Sequence, residues 1–195
     1  MSGVTGKTAL VTGAGSADGI GVATARLLLA AGARVAITST TDRIFARLKQ
    51  LGGTHDTTFA MPADLTRADQ VEALIAAVSD QLGPIDILVN NAGMTQIGGD
   101  EKAGPMHSMT EAGWDYGIDI NLKTAFLVTR AVLPGMMDRD YGRIVQMSSV
   151  TGPVVGISGS SVYAAAKAGM LGMTRALAIE AGPFGVTVNC IGPGW

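Results

Sequence analysis

Six short aliphatic runs, at residues 7–12, 34–38, 57–61, 85–89, 143–147 and 185–191, recur along the chain with longer segments of helical period between them. No other feature limits the fold so sharply. Runs of Val, Ile and Leu without strict alternation predict strands buried on both faces, as in parallel sheets. Strand–helix alternation then calls for a parallel sheet with helices on both sides. The helical segments are 20–31, 42–51, 66–82, 110–137 and 161–181. The clearest is 66–82, where Val71, Leu74, Ile75, Val78 and Leu82 share one face, Thr66 is placed to cap the start, and Gly83-Pro84 stops it. In 42–51 the stripe is Ile44, Phe45, Leu48 and Leu51, with Gly52 just past the end. The segment 110–137 contains Gly113, Gly117 and Pro134, which predicts a bend near its end. Linkers, repeats and low-complexity tracts are absent from the sequence. The expectation is an α/β fold, a doubly wound parallel sheet of six strands in a single domain, 1–195.

Composition narrows the partners. A hydrophobic fraction of 47% against 15% charged residues is too apolar for a disordered chain. The net charge is −2, so no basic excess exists to neutralise a phosphate backbone, and nucleic acid is not expected as a partner. The apolar stretch 22–37 is cut by Arg26, Gly32 and Arg34, which argues against a membrane span. Residues 1–6 do not read as a leader, and one cysteine, Cys190, fits a reducing compartment, so a cytoplasmic location is expected. His55 and His107 lack partners at ligand spacing, so no metal is expected. Glycine is 27 of 195 residues, twice the usual share, which points to many close backbone approaches.

The first of those approaches follows the first strand: Thr12-Gly13-Ala14-Gly15-Ser16-Ala17-Asp18-Gly19-Ile20-Gly21. Glycines in a strand-to-helix turn admit a pyrophosphate to the backbone, and the helix N-terminus supplies free N–H groups and partial positive charge. A tight turn needing positive φ would account for the same glycines, but the position in the first strand–helix unit favours dinucleotide binding. The Gly6-Lys7-Thr8 tripeptide is no phosphate loop, because the first glycine of that motif would fall on Met1.

A second cluster is Tyr163 and Lys167, four residues apart in the segment 161–181 and therefore on one helical face, about 6 Å apart along the axis. Such a pair can be ordinary surface chemistry. Here Ala164, Ala165, Ala166, Ala168 and Gly169 leave it accessible, and a Gly/Ser-rich loop, 151–161, precedes it. A tyrosine of ordinary pKa ~10 is only about 0.1% ionised at neutral pH, so a base needs roughly 4 kcal/mol of help. One ammonium at ~4 Å in a partly shielded site supplies about that much.

With these residues in place the chain resembles the short-chain dehydrogenase/reductase family, in general pattern the 3-oxoacyl-carrier-protein reductases. The resemblance runs from about Lys7 to Trp195. It is carried by the glycine loop, Asn90-Asn91-Ala92-Gly93 after the fourth strand, Asn121 in the long helix, Ser148-Ser149 after the fifth strand, Tyr163-x3-Lys167, and Pro193-Gly194 after the sixth. It implies a Rossmann-type sheet of order 3-2-1-4-5-6, followed in the family by a seventh strand and a substrate lid that this chain is expected to lack. It implies hydride transfer between a nicotinamide cofactor and a carbonyl or alcohol. Tyr163 becomes the expected general acid/base, Ser149 the donor to the substrate oxygen, Lys167 the holder of the nicotinamide ribose and the group that lowers the tyrosine pKa, and Asn121 the anchor of a water in a proton relay. Ser149 is preferred over Ser148 from its spacing of 14 residues before Tyr163, close to the family's 13 or so. Cofactor contacts are expected at Gly13, Ser16, Gly19, Ile20, Gly21, Ser39, Thr40, Arg43, Asp64, Leu65, Asn91, Ala92, Gly93, Tyr163, Lys167, Pro193 and Gly194, with Asn90 bracing the sheet. Asp64 could equally be a helix cap. The five residues between Gly13 and Gly19, where the common pattern has three, leave Gly15 the least secure of the loop glycines.

The end of the second strand reads Thr38-Ser39-Thr40-Thr41-Asp42-Arg43. A carboxylate there would bond the ribose 2′-OH and repel a 2′-phosphate. Ser39 stands where NAD-preferring relatives carry Asp, so hydroxyls and Arg43 lean to NADP(H) and leave NAD(H) open. Arg43 could also be a solvated first-turn arginine, and Asp18 before Gly19 argues the other way. Val154, Val155, Ile157 and Met94 could line an apolar substrate pocket or be loop core. The resulting expectation is an NAD(P)(H)-dependent oxidoreductase for a small carbonyl or alcohol, a 3-oxoacyl thioester among the candidates, assembled as a dimer or tetramer. A dinucleotide-binding domain with little catalysis is the alternative.

Overall fold

The computed structural model describes residues 3–94 and 104–194; Met1 and Trp195 lie outside them. Six strands, β1 (Thr8–Val11), β2 (Arg34–Ser39), β3 (Thr58–Pro62), β4 (Ile87–Asn90), β5 (Gly142–Met147) and β6 (Val186–Ile191), form one sheet of order β3-β2-β1-β4-β5-β6. Every pairing is parallel. The expected Rossmann-type topology is thus the observed one. The helices are α1 (Ile20–Ala30), α2 (Arg43–Leu51), α3 (Ala68–Leu82), α4 (Glu111–Ile118), α5 (Thr124–Asp138) and α6 (Ser161–Ala181).

Register explains the two cores. Ala36, Leu10, Leu88, Ile144 and Val188 are successive partners across five strands, and this row meets Val71, Leu74 and Val78 of α3, Val128 of α5 and Leu177 of α6. The alternate residues Val11, Val35, Ile37 and Val89 pack on the opposite face with Ala25 of α1 and Ile44 of α2. β6 departs from the expectation of burial on both faces. Val186 and Val188 are buried, while Thr187 and Asn189 are exposed, because α1 and α2 pack over β1, β2 and β3. Its sequence, VTVNCI, already alternates as a half-covered strand should.

One local expectation is corrected, and the long helix of 110–137 is divided. Thr66 does not cap α3. The helix starts at Ala68, and Asp64 Oδ1 accepts from both the Thr66 N–H (3.0 Å) and the Thr66 hydroxyl (2.7 Å), an Asx turn that leads the chain in. Pro134 lies inside α5. The break in α geometry comes earlier, in a π-helical turn at Asp119–Lys123 between α4 and α5. A single π turn widens the helix and loosens its carbonyl bonds. Asn121 sits in that turn and its Nδ2 donates to Gly117 O at 3.0 Å. Thr110 caps α4 by accepting from the Gly113 N–H.

Candidate active site

All the carboxyl ends of the strands point to one edge of the sheet, and the loops leaving β1, β2, β4, β5 and β6 meet there. Thr12 ties the first to the fourth. Its hydroxyl oxygen accepts from the N–H groups of Asn91 and Ala92, each at 3.0 Å. Asn91 Nδ2 in turn donates to Thr12 O (3.0 Å) and Gly13 O (3.1 Å). The glycine loop is therefore braced by the side chain of Asn91. Gly13 has φ +67°, and a Cβ there would come 2.6 Å from Ala92 Cα, so no other residue fits this turn. Gly19 precedes α1 without any side-chain cap, and no acidic residue stands in the first turn, so no side chain of the helix start occupies the N–H groups at Ile20 and Gly21. Ser16 is exposed on the same loop.

At the end of β2, Ser39 is buried and its hydroxyl donates to Thr41 O, while Thr40 and Arg43 are exposed. The Arg43 guanidinium lies over the glycine loop. A Cβ on Gly15 would meet Arg43 Nε at 2.6 Å and Ser39 Cβ at 2.9 Å. Gly15, the least certain glycine in the sequence, is thus the floor beneath Arg43. Asp64 is engaged in its turn, and the Leu65 side chain is buried in the core beside α3, so only its backbone faces this edge.

Lys167, Asn121 and Gly93 converge. A Cβ on Gly93 would lie 2.8 Å from Asn121 Oδ1 and 3.3 Å from Lys167 Nζ. Asn121 is held on both sides by the Met94 backbone, accepting its N–H (3.0 Å) and donating to its carbonyl (3.2 Å). Lys167 is 4% exposed, and its Nζ donates to Met147 O at 2.7 Å, leaving two N–H donors. Burial lowers its pKa from 10.5 to about 8, with Cys190 acting the other way. Nζ also stands 5.6 Å from the centre of the Tyr163 ring. Tyr163 is half-buried, and among the described residues no group hydrogen-bonds its hydroxyl.

The two serines separate. Ser148 is buried and its hydroxyl donates to Lys167 O (2.8 Å), which fastens α6 to β5. Ser149 is half-buried, and its Oγ accepts from the Thr151 N–H (3.1 Å), so its own proton remains available. Pro193 O accepts from the Val150 N–H, bringing Pro193-Gly194 alongside Ser149. The parts that sequence reading missed are Thr12 and the backbone of Met94 and Met147. None carries a chemical signature, though Thr12 was in view as the first residue of the loop.

The cradle suits a dinucleotide: an uncapped helix start, a glycine turn that no side chain could share, and a guanidinium over it. Residues 7–195 match the family model described as short chain dehydrogenase. Oxidoreductase UcpA of Salmonella typhimurium is 42% identical over 195 residues, covering 100% of this chain and 71% of that protein. The 3-oxoacyl-[acyl-carrier-protein] reductase FabG of Vibrio cholerae is 40% identical over 190 residues, 97% of this chain and 73% of that protein. The crystal structure of a variant actinorhodin polyketide ketoreductase with NADPH is similar with a TM-score of 0.89 and 36% identity, covering 98% of this chain and 72% of that one.

Proposed function

The chain belongs to the short chain dehydrogenase family, NAD(P)-dependent oxidoreductases of carbonyl and alcohol groups, and from that premise we propose that this one domain reduces a ketone, a 3-oxoacyl thioester among the candidates, with NADPH. The observation that carries the chemistry is the ring of Tyr163 5.6 Å from a buried cation already anchored to Met147 O, its hydroxyl bonded by no group among the described residues. When bound, NADPH supplies the hydride that the carbonyl carbon accepts. Tyr163 gives its hydroxyl proton to the carbonyl oxygen, which becomes the alcohol. Ser149 donates a hydrogen bond to the same oxygen as charge builds on it. Lys167 uses its two remaining donors on the ribose and places positive charge near the departing proton. Asn121, fixed by Met94, keeps the π turn open beside Lys167 and orients a water that returns the proton.

The preference for NADPH rests on Arg43 above Gly15, next to the hydroxyl-bearing end of β2. Following 340 nm absorbance with ketones and β-ketoacyl thioesters tests both parts. NADPH should be oxidised faster than NADH. Arg43→Glu should lower kcat/KM for NADPH by roughly 10–100-fold, the worth of one charge-assisted bond to phosphate, and leave NADH little changed. Binding of NADPH without oxidation by any substrate would overturn the reductase reading.

The same reading includes assembly of the chain with itself. Phe126 on α5 and Ile179 on α6 are exposed on the helices that carry or adjoin Asn121 and Tyr163. Light scattering should give the mass of a dimer or tetramer, and a monomer at micromolar concentration would refute it.

A further inference from the structure

Resting on that reading of the site, we propose that Thr129 of α5 is a positioning residue: its hydroxyl oxygen, shared by the buried amides of Asn90 and Gln146, sets the spacing between the strand end that fastens the proton donor's helix and the strand end that braces the glycine loop. Asn90 and Gln146 are the last register pair between β4 and β5. Asn90 Nδ2 donates to Thr129 Oγ1 at 2.8 Å, and Gln146 Nε2 donates to the same atom at 3.2 Å. A hydroxyl oxygen has two acceptor lone pairs, and both are taken. All three residues are buried. The Gln146 amide makes no other bond among the described residues, and the Asn90 amide adds only a long one, 3.4 Å, to Ala125 O. Asn90 Oδ1 and Gln146 Oε1 find no partner at all. One row earlier the same two strands place Leu88 opposite Ile144, in the apolar core. Amides buried at this row with half their bonding capacity unmet are a cost to folding, and the shared acceptor is what they hold in return.

Past this pair the two chains part, and each takes half of the site with it. On the β5 side, Met147 O holds Lys167 Nζ, the Ser148 hydroxyl holds Lys167 O, and Ser149 follows. This side therefore sets where α6 presents Tyr163 and Lys167. On the β4 side, Asn91 braces the glycine loop at Thr12 O and Gly13 O, and Met94 grips Asn121. The halves come together again at Gly93, where a Cβ would lie 2.8 Å from Asn121 Oδ1 and 3.3 Å from Lys167 Nζ. With so little clearance there, the opening of the fork has to be fixed at its root. Thr129 is the one side chain that both roots bond. Without its hydroxyl the Gln146 amide has no partner among the described residues, and the β5 end must shift to find one.

The experiment measures kcat for ketone reduction and, separately, the Kd for NADPH by fluorescence. Thr129→Val removes the shared acceptor with little change of shape. It should lower kcat by about 10–100-fold, the cost of a misplacement on the ångström scale, and leave the Kd for NADPH within about 5-fold. Thr129→Ser keeps the hydroxyl and should return kcat to within about 3-fold of the original. Gln146→Met frees the β5 end alone and also removes an unpartnered carbonyl, so kcat should fall about 10-fold with little loss of stability. In the double variant the two losses should not multiply, because both break one bond. Thr8→Val deletes another buried threonine hydroxyl, bonded to Leu82 O at the opposite end of the sheet, and should cost stability but not kcat. Normal kcat in a folded Thr129→Val enzyme, a Ser variant as slow as the Val variant, or an equal loss in Thr8→Val would make Thr129 merely structural and overturn its positioning role. Should Thr129→Val fail to fold, Gln146→Met decides, a normal kcat overturning the proposal and a loss confined to kcat supporting it. NADPH bound but unoxidised by every ketone in the original protein would overturn the reductase reading, and this role with it.

Discussion

Replacing Tyr163 by Phe should lower kcat for ketone reduction by on the order of 10³-fold while leaving the Kd for NADPH within a few-fold of the original. The substitution deletes one oxygen. No intramolecular hydrogen bond is lost with it, since among the described residues none reaches that hydroxyl, so stability should change little. The ring stays in place beside Lys167 Nζ, whose position depends on Met147 O and not on the phenol. What disappears is the proton donor, and general acid catalysis of this kind is worth about 10²–10⁴. Ser149→Ala should cost less, about 10²-fold, because it removes one of two donors to the developing oxyanion. Ser148→Ala should act differently again. It breaks the bond to Lys167 O that fastens α6 to β5, so its loss should appear first as reduced stability. Stopped-flow kinetics with NADPH binding measured separately distinguishes the three. A Tyr163→Phe enzyme with near-normal kcat removes the phenol from the chemistry.

That contrast between the serines shows where sequence reasoning reaches and where it stops. Strands β1, β2 and β4 were legible because burial on both faces leaves a nearly unbroken aliphatic signal, and helix α3 because its stripe runs for several turns. The end of β2 was legible in composition, hydroxyls and an arginine with no carboxylate, but the position of Arg43 above Gly15 was not, since it depends on how two loops from different strands meet. The choice of Ser149 over Ser148 rested on counting. The structure supplies the physical difference, one hydroxyl spent on a helix carbonyl and the other with its proton unclaimed. Asn121 could be named but not placed. Helical period gives no sign of a π turn at Asp119–Lys123, which lies well before Pro134. Asn91 is expected to touch cofactor, and its Nδ2 also donates to Thr12 O and Gly13 O, which braces the glycine turn. A half-buried amide closing a glycine turn leaves no trace in spacing, because its partners are main-chain atoms.

Lys167→Met should produce the most telling pH dependence. In the folded chain burial holds the Lys167 pKa at about 8, against 10.5 as its ordinary value. A difference of that size corresponds to about 3 kcal/mol against the folded state while the amine is charged in both states. Between pH 8 and 10.5 the unfolded chain still binds this proton and the folded chain has released it, so stability rises with pH across the window. Below about pH 8 the penalty is present in full. Methionine has no proton to exchange. Urea midpoints of the two proteins, compared from pH 7 to 10.5, should therefore move in favour of the original by roughly 3 kcal/mol, other titrating groups cancelling in the difference. Activity should go the other way at neutral pH. The Met variant loses two donors to the ribose and the cation near Tyr163, about 10²-fold or more in kcat/KM. Lys167→Arg should not restore it, because a planar fork does not fit a 4%-exposed site built around a single carbonyl. A cation kept at such cost to folding is explained by chemistry at the site. A stability difference flat with pH, or an active Lys167→Met enzyme, would remove that explanation.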